Sequence, residues 1–227
     1  MRLYFFKPLF LLFIVVALFS CKNKDMRDLS QGEIHFNITY GGPPGSFGPA
    51  VLPKNLVVSF KKDKVLFDIR AIGNNGISNL SNPSEDIYDT YLNLIGMKYY
   101  YAGIDEEIPP GLTSMQGMVI NETDDTGEII GFKCRRAEVI LPSMPDSVFE
   151  IWYTDEINIE HPNSANPFKE IDGVLLNFFF FMGDREFIFE AESIYNKEIP
   201  DKVFERRIKY TPISKGLMDT LIIRLVK

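Results

Sequence analysis

Two cysteines, two histidines and a scatter of carboxylates are the side chains of this 227-residue chain that could do chemistry. Cys134 stands before Arg135 and Arg136. A thiol becomes a nucleophile beside a base in an electropositive setting, but in an extended strand Arg135 points away from Cys134. A small buried thiol is expected there. A metal site wants convergent ligands; His35 falls on the polar face of an alternating segment and His161 in a proline-punctuated stretch near Asp155, Glu156 and Glu160, so both are expected on a solvated surface. Asp155, Glu156, Glu190 and Glu192 are carboxylates by composition alone, whereas glycoside cleavage needs a pair across a cleft with one raised pKa. There is no G-x-S-x-G, no phosphate-cradling glycine loop and no H-E-x-x-H. The expectation is a protein without metal, cofactor or catalysis.

The other cysteine sits in a different context. Arg2 and Lys7 precede eleven uninterrupted apolar residues, Leu9 to Phe19, too few for a spanning helix of about 20 but enough for the core of a secretory signal. Leu18-Phe19-Ser20-Cys21 resembles the lipobox of bacterial lipoproteins. The resemblance implies cleavage before Cys21 and acylation of its thiol and new amino terminus, which divides the chain into a signal peptide (1–20), a lipidated tether (21–31) and a single domain (32–227). Two or more acyl chains hold a protein on a membrane without a spanning helix. Lys22, in place of the inner-membrane retention Asp, points to the outer membrane. The expected location is the bacterial cell envelope, facing the periplasm or the cell surface. Losing Arg2 and Lys7 takes the formal charge from −7 to −9, which argues against nucleic acid as a partner. With Cys21 acylated, Cys134 has no intramolecular disulfide partner.

The rest of the chain must build the scaffold. It is 45 % hydrophobic, with 19 Phe and 10 Tyr beside one Trp, a bias that suits pleated, half-buried surfaces. Ile34, Phe36, Ile38 and Tyr40 alternate with His35, Asn37 and Thr39, the period of a half-buried strand. A hairpin about Lys61–Lys64 would oppose Phe60 to Val65, Val58 to Phe67 and Leu56 to Ile69, placing all six on one face. Gly41–Pro53, Asn74–Gly76, Ser81–Asp86 and Pro109–Gly111 read as turns and loops. Ile87–Ile95, Met97–Ala102, Met118–Glu122, Glu128–Leu141 and Ser147–Asp155 read as strands, with Asp124–Gly127 as a hairpin loop.

Gly173–Ile194 is the most telling stretch. With a bend at Gly183-Asp184, Phe180 opposes Phe187, Phe178 opposes Phe189 and Leu176 opposes Ala191, giving one wholly apolar face; Phe179 and Phe181 fall on the other. The class is mainly β: a single antiparallel curved sheet or open half-barrel with one or two short helices, Pro200–Lys209 and Leu217–Lys227 being open to either helix or edge strand.

Ile130-Gly131-Phe132-Lys133-Cys134-Arg135-Arg136-Ala137, Glu150-Ile151-Trp152-Tyr153-Thr154-Asp155-Glu156-Ile157 and Ile171-Asp172-Gly173-Val174-Leu175 resemble, in order and spacing, the core of the GLPGLI family of exported bacterial β-proteins of unknown function, over residues 128–200. More remotely, an exported chain of long consecutive antiparallel strands is similar to lipoprotein-sorting proteins of the LolA-like kind, whose unclosed barrel accepts acyl chains. That likeness implies binding of lipid or another apolar ligand, with Trp152, Leu176, Phe178, Phe180, Phe187 and Phe189 as the wall. A protein-interaction module is the alternative, and a carboxylate hydrolase the third reading.

Overall fold

Lys61 and Lys64 close the hairpin between β2 (Asn55–Lys61) and β3 (Lys64–Arg70), and the register is Phe60 to Val65, Val58 to Phe67 and Leu56 to Ile69, as the alternation predicts. The computed structural model that shows this describes residues 29–41, 52–73 and 75–226. The meander continues antiparallel through β4 (Gly76–Asn82), β5 (Ile87–Leu94) and β6 (Met97–Ala102). A second meander runs through β7 (Val119–Ile129), β8 (Phe132–Leu141), β9 (Met144–Thr154), β10 (Val174–Met182) and β11 (Arg185–Tyr195). The first strand, β1 (Gln31–Gly41), joins the two, pairing with β2 on one side and β11 on the other. With the two-residue β12 (Thr211–Pro212) lying parallel to β6, the result is one open sheet of twelve strands, ordered β12-β6-β5-β4-β3-β2-β1-β11-β10-β9-β8-β7.

Curvature follows from the one-sided apolar pattern. Phe67 on β3 and Phe178 on β10 are four strands apart, about 19 Å in a flat sheet, yet their ring centroids lie 6.3 Å apart. The sheet has curled until opposite wings touch, because burying both apolar faces against each other removes them from water. Residues 103–118 carry the chain from β6 at one side to β7 at the far edge. The helix α1 (Lys215–Val226) packs Met218, Ile222 and Val226 against the same core. Its seat needs a glycine: Gly111 has φ +85, a Cβ there would lie 2.5 Å from Ile222, and its N–H donates to Asp219 Oδ1 at 2.7 Å. A smaller core on the outer face, Leu66, Leu80, Ile87 and Tyr91, is covered by Ile199 and Phe204 of the chain between β11 and β12. That strap is tied by Arg206, whose guanidinium donates twice to the buried Asp89 at 2.8 and 2.9 Å.

Two sequence expectations change. Asp124–Gly127 is not a loop: β7 runs on to Ile129 with a bulge between Glu122 and Thr126, and the turn is Ile130-Gly131, both with positive φ. The acidic residues stay extended because Arg135 and Arg136 on β8 pair with Glu122 and Asp125. Ile77–Leu80 belongs to a strand that the polar sequence hid; its inward Asn79 accepts from Thr90 Oγ1 at 3.0 Å, and Ser78 donates to Asp68 at 2.8 Å. Leu29 is buried, and Gln31 Oε1 accepts from Ile199 N–H. Pro200–Lys209 yields a short 3-10 turn at Asp201–Phe204, and the described part of Leu217–Lys227, up to Val226, falls in the one α-helix among the described residues.

Candidate functional site

The expected apolar wall is the centre of the core. Phe178 pairs with Phe189 and Phe180 with Phe187; the first two rings stack at 4.8 Å, and Phe180 meets Phe189 edge-on at 5.0 Å. Leu176, Phe178, Phe180, Phe187 and Phe189 are each at most 1 % exposed, with Phe36 and Phe67 filling the space before them. The wall faces inward as expected, and the protein's own side chains fill the concavity at its middle. Its end is less filled. Phe187, Ile69, Ile77, Ala71, Gly76, Leu52 and Pro53 border an apolar recess of about 60 Å³ beside Leu225 and Val226 of α1.

Trp152 does not join this wall. It pairs with Asn177 across a bulge in β10 between Leu175 and Asn177, and directly opposed residues share a face, so Trp152 lies on the side away from Phe178. There it covers the bare backbone of Gly127, whose Cβ would sit 2.8 Å from the indole. Beyond Asn177, β9 and β10 diverge. Phe149 fills the gap against Phe179 and Phe181 at 4.9 and 5.3 Å, while Ser114 Oγ donates to Phe181 C=O at 2.7 Å.

The candidate chemical residues are scattered. Cys134 is buried, and burial pushes its thiol up, away from thiolate character. His35 contacts Glu33 at 3.1 Å, and His161 lies in the 155–173 loop. Asp155 pairs with Arg135, and Glu156 accepts from Lys133 N–H. Glu190 and Glu192 are exposed on β11. Among the described residues no group of three His, Cys, Asp or Glu could hold a metal ion. Cys21, the signal and most of the tether lie outside the described residues.

A second recess, of about 220 Å³, was not foreseen apart from His161. It lies at the opposite end of β4 from the apolar one, bordered by Pro83, Tyr88, Asp105, Glu106, His161, Lys169 and Asp172. The 155–173 loop is braced for this: Asn163 Nδ2 donates to the carbonyls of Ile171 (2.6 Å) and Gly173 (3.0 Å), and Asn166 Nδ2 donates to Asn163 Oδ1 at 3.0 Å. Lys169 points along the floor, its side chain 15 % exposed, 3.8 Å from Asp105 and 6.0 Å from the Tyr88 ring centroid. Burial lowers its ammonium below the usual lysine range against the pull of Glu106 and Asp105. Burial, then Asp105, push the Tyr88 hydroxyl up. Irregular loop sequence carries no periodic signal, so only convergence in space reveals these residues.

No family model matches the chain, and neither does any curated protein, so the likeness over residues 128–200 has no support from that side. Two structures of PNGF-II, in space groups C2 and P21, align with TM-scores of 0.53 and 0.54 at 15 % identity, covering 86 % and 85 % of this chain and 32 % and 33 % of theirs. The chain thus spans about a third of the length of those proteins, and what is shared is the fold. The LolA superfamily protein NE2245 from Nitrosomonas europaea aligns at a TM-score of 0.33 and 10 % identity, over 79 % of this chain and 91 % of that one. This is a remote structural similarity, too distant to assign a ligand. The class that fold and comparisons define is a mainly β protein built on one large, unclosed, curled sheet.

Proposed function

We propose that this chain is an envelope lipoprotein, held on a membrane (the outer one, by the residue after its lipidated cysteine) through acylated Cys21, and that its domain acts by binding lipid or another apolar ligand rather than by catalysis. The observation that carries this reading is where the core stops being full. Phe187 belongs both to the phenylalanine wall and to the apolar recess beside Leu225 and Val226. Ligand sites are typically apolar concavities, and here the concavity continues into the sheet's inner face. The last turn of α1 forms one side, so a small outward shift of that turn would lengthen the recess toward the size of an acyl segment. No helix among the described residues is long and apolar enough to cross a membrane, which leaves the anchoring to Cys21 in this reading.

The test is native mass spectrometry of the purified full-length protein. A non-covalent amphiphile beside the covalent acyl groups, lost in Phe187→Trp, which fills the recess, is the expected result. A protein free of any bound amphiphile under conditions that keep it folded, or one whose amphiphile is unaffected by that substitution, would defeat the apolar-ligand reading. Loss of membrane association in Cys21→Ser tests the anchor separately.

One feature favours the interaction-module alternative. Among the described residues no strand neighbours the outer edge of β7, eleven residues long, and an extended partner could add a strand there. Crosslinking that traps a single stoichiometric partner at β7 would favour that reading.

A further inference from the structure

We propose that the recess between the 155–173 loop and the Pro83–Tyr88 and Asp105–Glu106 segments binds a neutral polyhydroxyl ring, the chemistry of a sugar or a cyclitol. Its position and lining make it independent of the apolar recess. The two open at opposite ends of β4, one bordered by Gly76 and the other by Pro83.

The first argument is unmet hydrogen bonding. Lys169 carries three donors on a largely buried side chain, yet its nearest carboxylate oxygen, Asp105 Oδ1, is 3.8 Å away, beyond hydrogen-bond reach. Ser164 lines the same recess, and its hydroxyl oxygen is buried with no partner. Buried polar groups are almost always paired, and an unpaired one costs about 1–3 kcal/mol. Ser164 Oγ is such a group, and with the Lys169 ammonium on the same wall it calls for an incoming oxygen that can accept from both.

The second argument is charge, which decides what that oxygen belongs to. Asp105, Glu106 and Asp172 line the recess against Lys169 and His161, and Glu107 adds a further negative field at Lys169. A phosphate or carboxylate seated on Lys169 would face at least three carboxylates, and like charges so placed repel. A hydroxyl has no such conflict. It accepts from Lys169 or Ser164 and donates to a carboxylate, and a ring bearing several hydroxyls can do both at once.

Size and stiffness agree. A volume of about 220 Å³ lies below the roughly 300–1,000 Å³ of drug-sized ligand pockets, so one ring fits and an oligomer would extend outward. Tyr88 supplies an aromatic side. The Asn163 bracing fixes the loop before any ligand arrives, which lowers the ordering penalty of binding.

Ligand-observed NMR on the purified full-length protein, in a detergent without a sugar headgroup, tests the proposal. The probes are glucose, galactose, mannose, N-acetylglucosamine and myo-inositol, with acetate and inorganic phosphate as anions. Saturable binding of at least one neutral probe at about 1 mM or tighter is expected, weakened at least tenfold in Lys169→Met and undisturbed by phosphate. If Lys169→Met does not fold, the wild-type protein still answers: the bound probe should slow acylation of Lys169 in an amine-footprinting experiment. The proposal is overturned if no neutral probe saturates, if saturation is indifferent to Lys169 in both experiments, or if phosphate or acetate competes. Such a failure leaves the apolar-ligand reading standing, because none of these residues borders the recess at Phe187.

Discussion

Glu186 shows how one side chain records its surroundings. Its carboxylate lies over the bare backbone of Gly41, and burial alone pushes its pKa up. A carboxyl whose folded value lies above the unfolded one penalises folding once both forms are ionised, and the penalty disappears as pH falls below the ordinary range near 4.3. Glu186→Gln should therefore raise Tm at pH 7 and leave it unchanged at pH 4, checked by calorimetry at the two pH values. An equal rise at both would mean that packing, not charge, governs the site. Residues of this kind were only partly legible. Cys134 could be read as buried because Arg135 beside it points to the opposite face and a small thiol packs as a hydrophobe. Trp152 was misplaced because the bulge between Leu175 and Asn177 shifts the register by a residue without leaving a mark in the sequence. Ile130 gave no sign of a turn, since a β-branched residue at φ +46 is what turn chemistry argues against.

At the scale of elements, periodicity did most of the reading. The β2–β3 and β10–β11 hairpins have the registers that their apolar rows demand, because a slip of one residue would turn six aromatic and aliphatic side chains to water. The energetic weight of that row is testable. Phe189, fully buried among Phe178, Phe180 and Phe187, should lose about 3–5 kcal/mol of stability on substitution by alanine. Phe149, only partly buried against Phe179 and Phe181, should lose clearly less; urea unfolding of both variants decides it, and equal losses would show that the inner row is no more tightly filled than the gap beside β9. β4 escaped notice for the complementary reason. Its Ser78 and Asn79 are buried in hydrogen-bonded pairs with Asp68 and Thr90, a solution that depends on β3 and β5 and so cannot be seen from β4 alone. The polar recess is hidden in the same way, its residues contributed by three segments with no common pattern.

The whole molecule is two meanders sewn together by one seam. Apart from the two-residue β12 beside β6, sheet neighbours are adjacent in sequence or nearly so except β1 and β11, where Phe36 meets Ala191 and Ile38 meets Phe189. Such long-range pairing carries a large loop-closure penalty and forms late. Pulse-labelled hydrogen exchange during refolding should accordingly find the β2–β3 amides protected before those joining β1 to β11; simultaneous protection would show that collapse, not the seam, sets the rate.

That seam has a consequence for synthesis. The ribosome makes β1 first and its partner β11 about 150 residues later, so at roughly 5–20 residues per second a row of bare isoleucine and phenylalanine beside an unmated strand edge waits on the order of ten seconds or more. Nascent chains crowded on one message would find in each other the pairing that each still lacks, and a holding chaperone would be needed at the amino-terminal end, well before most of the domain exists.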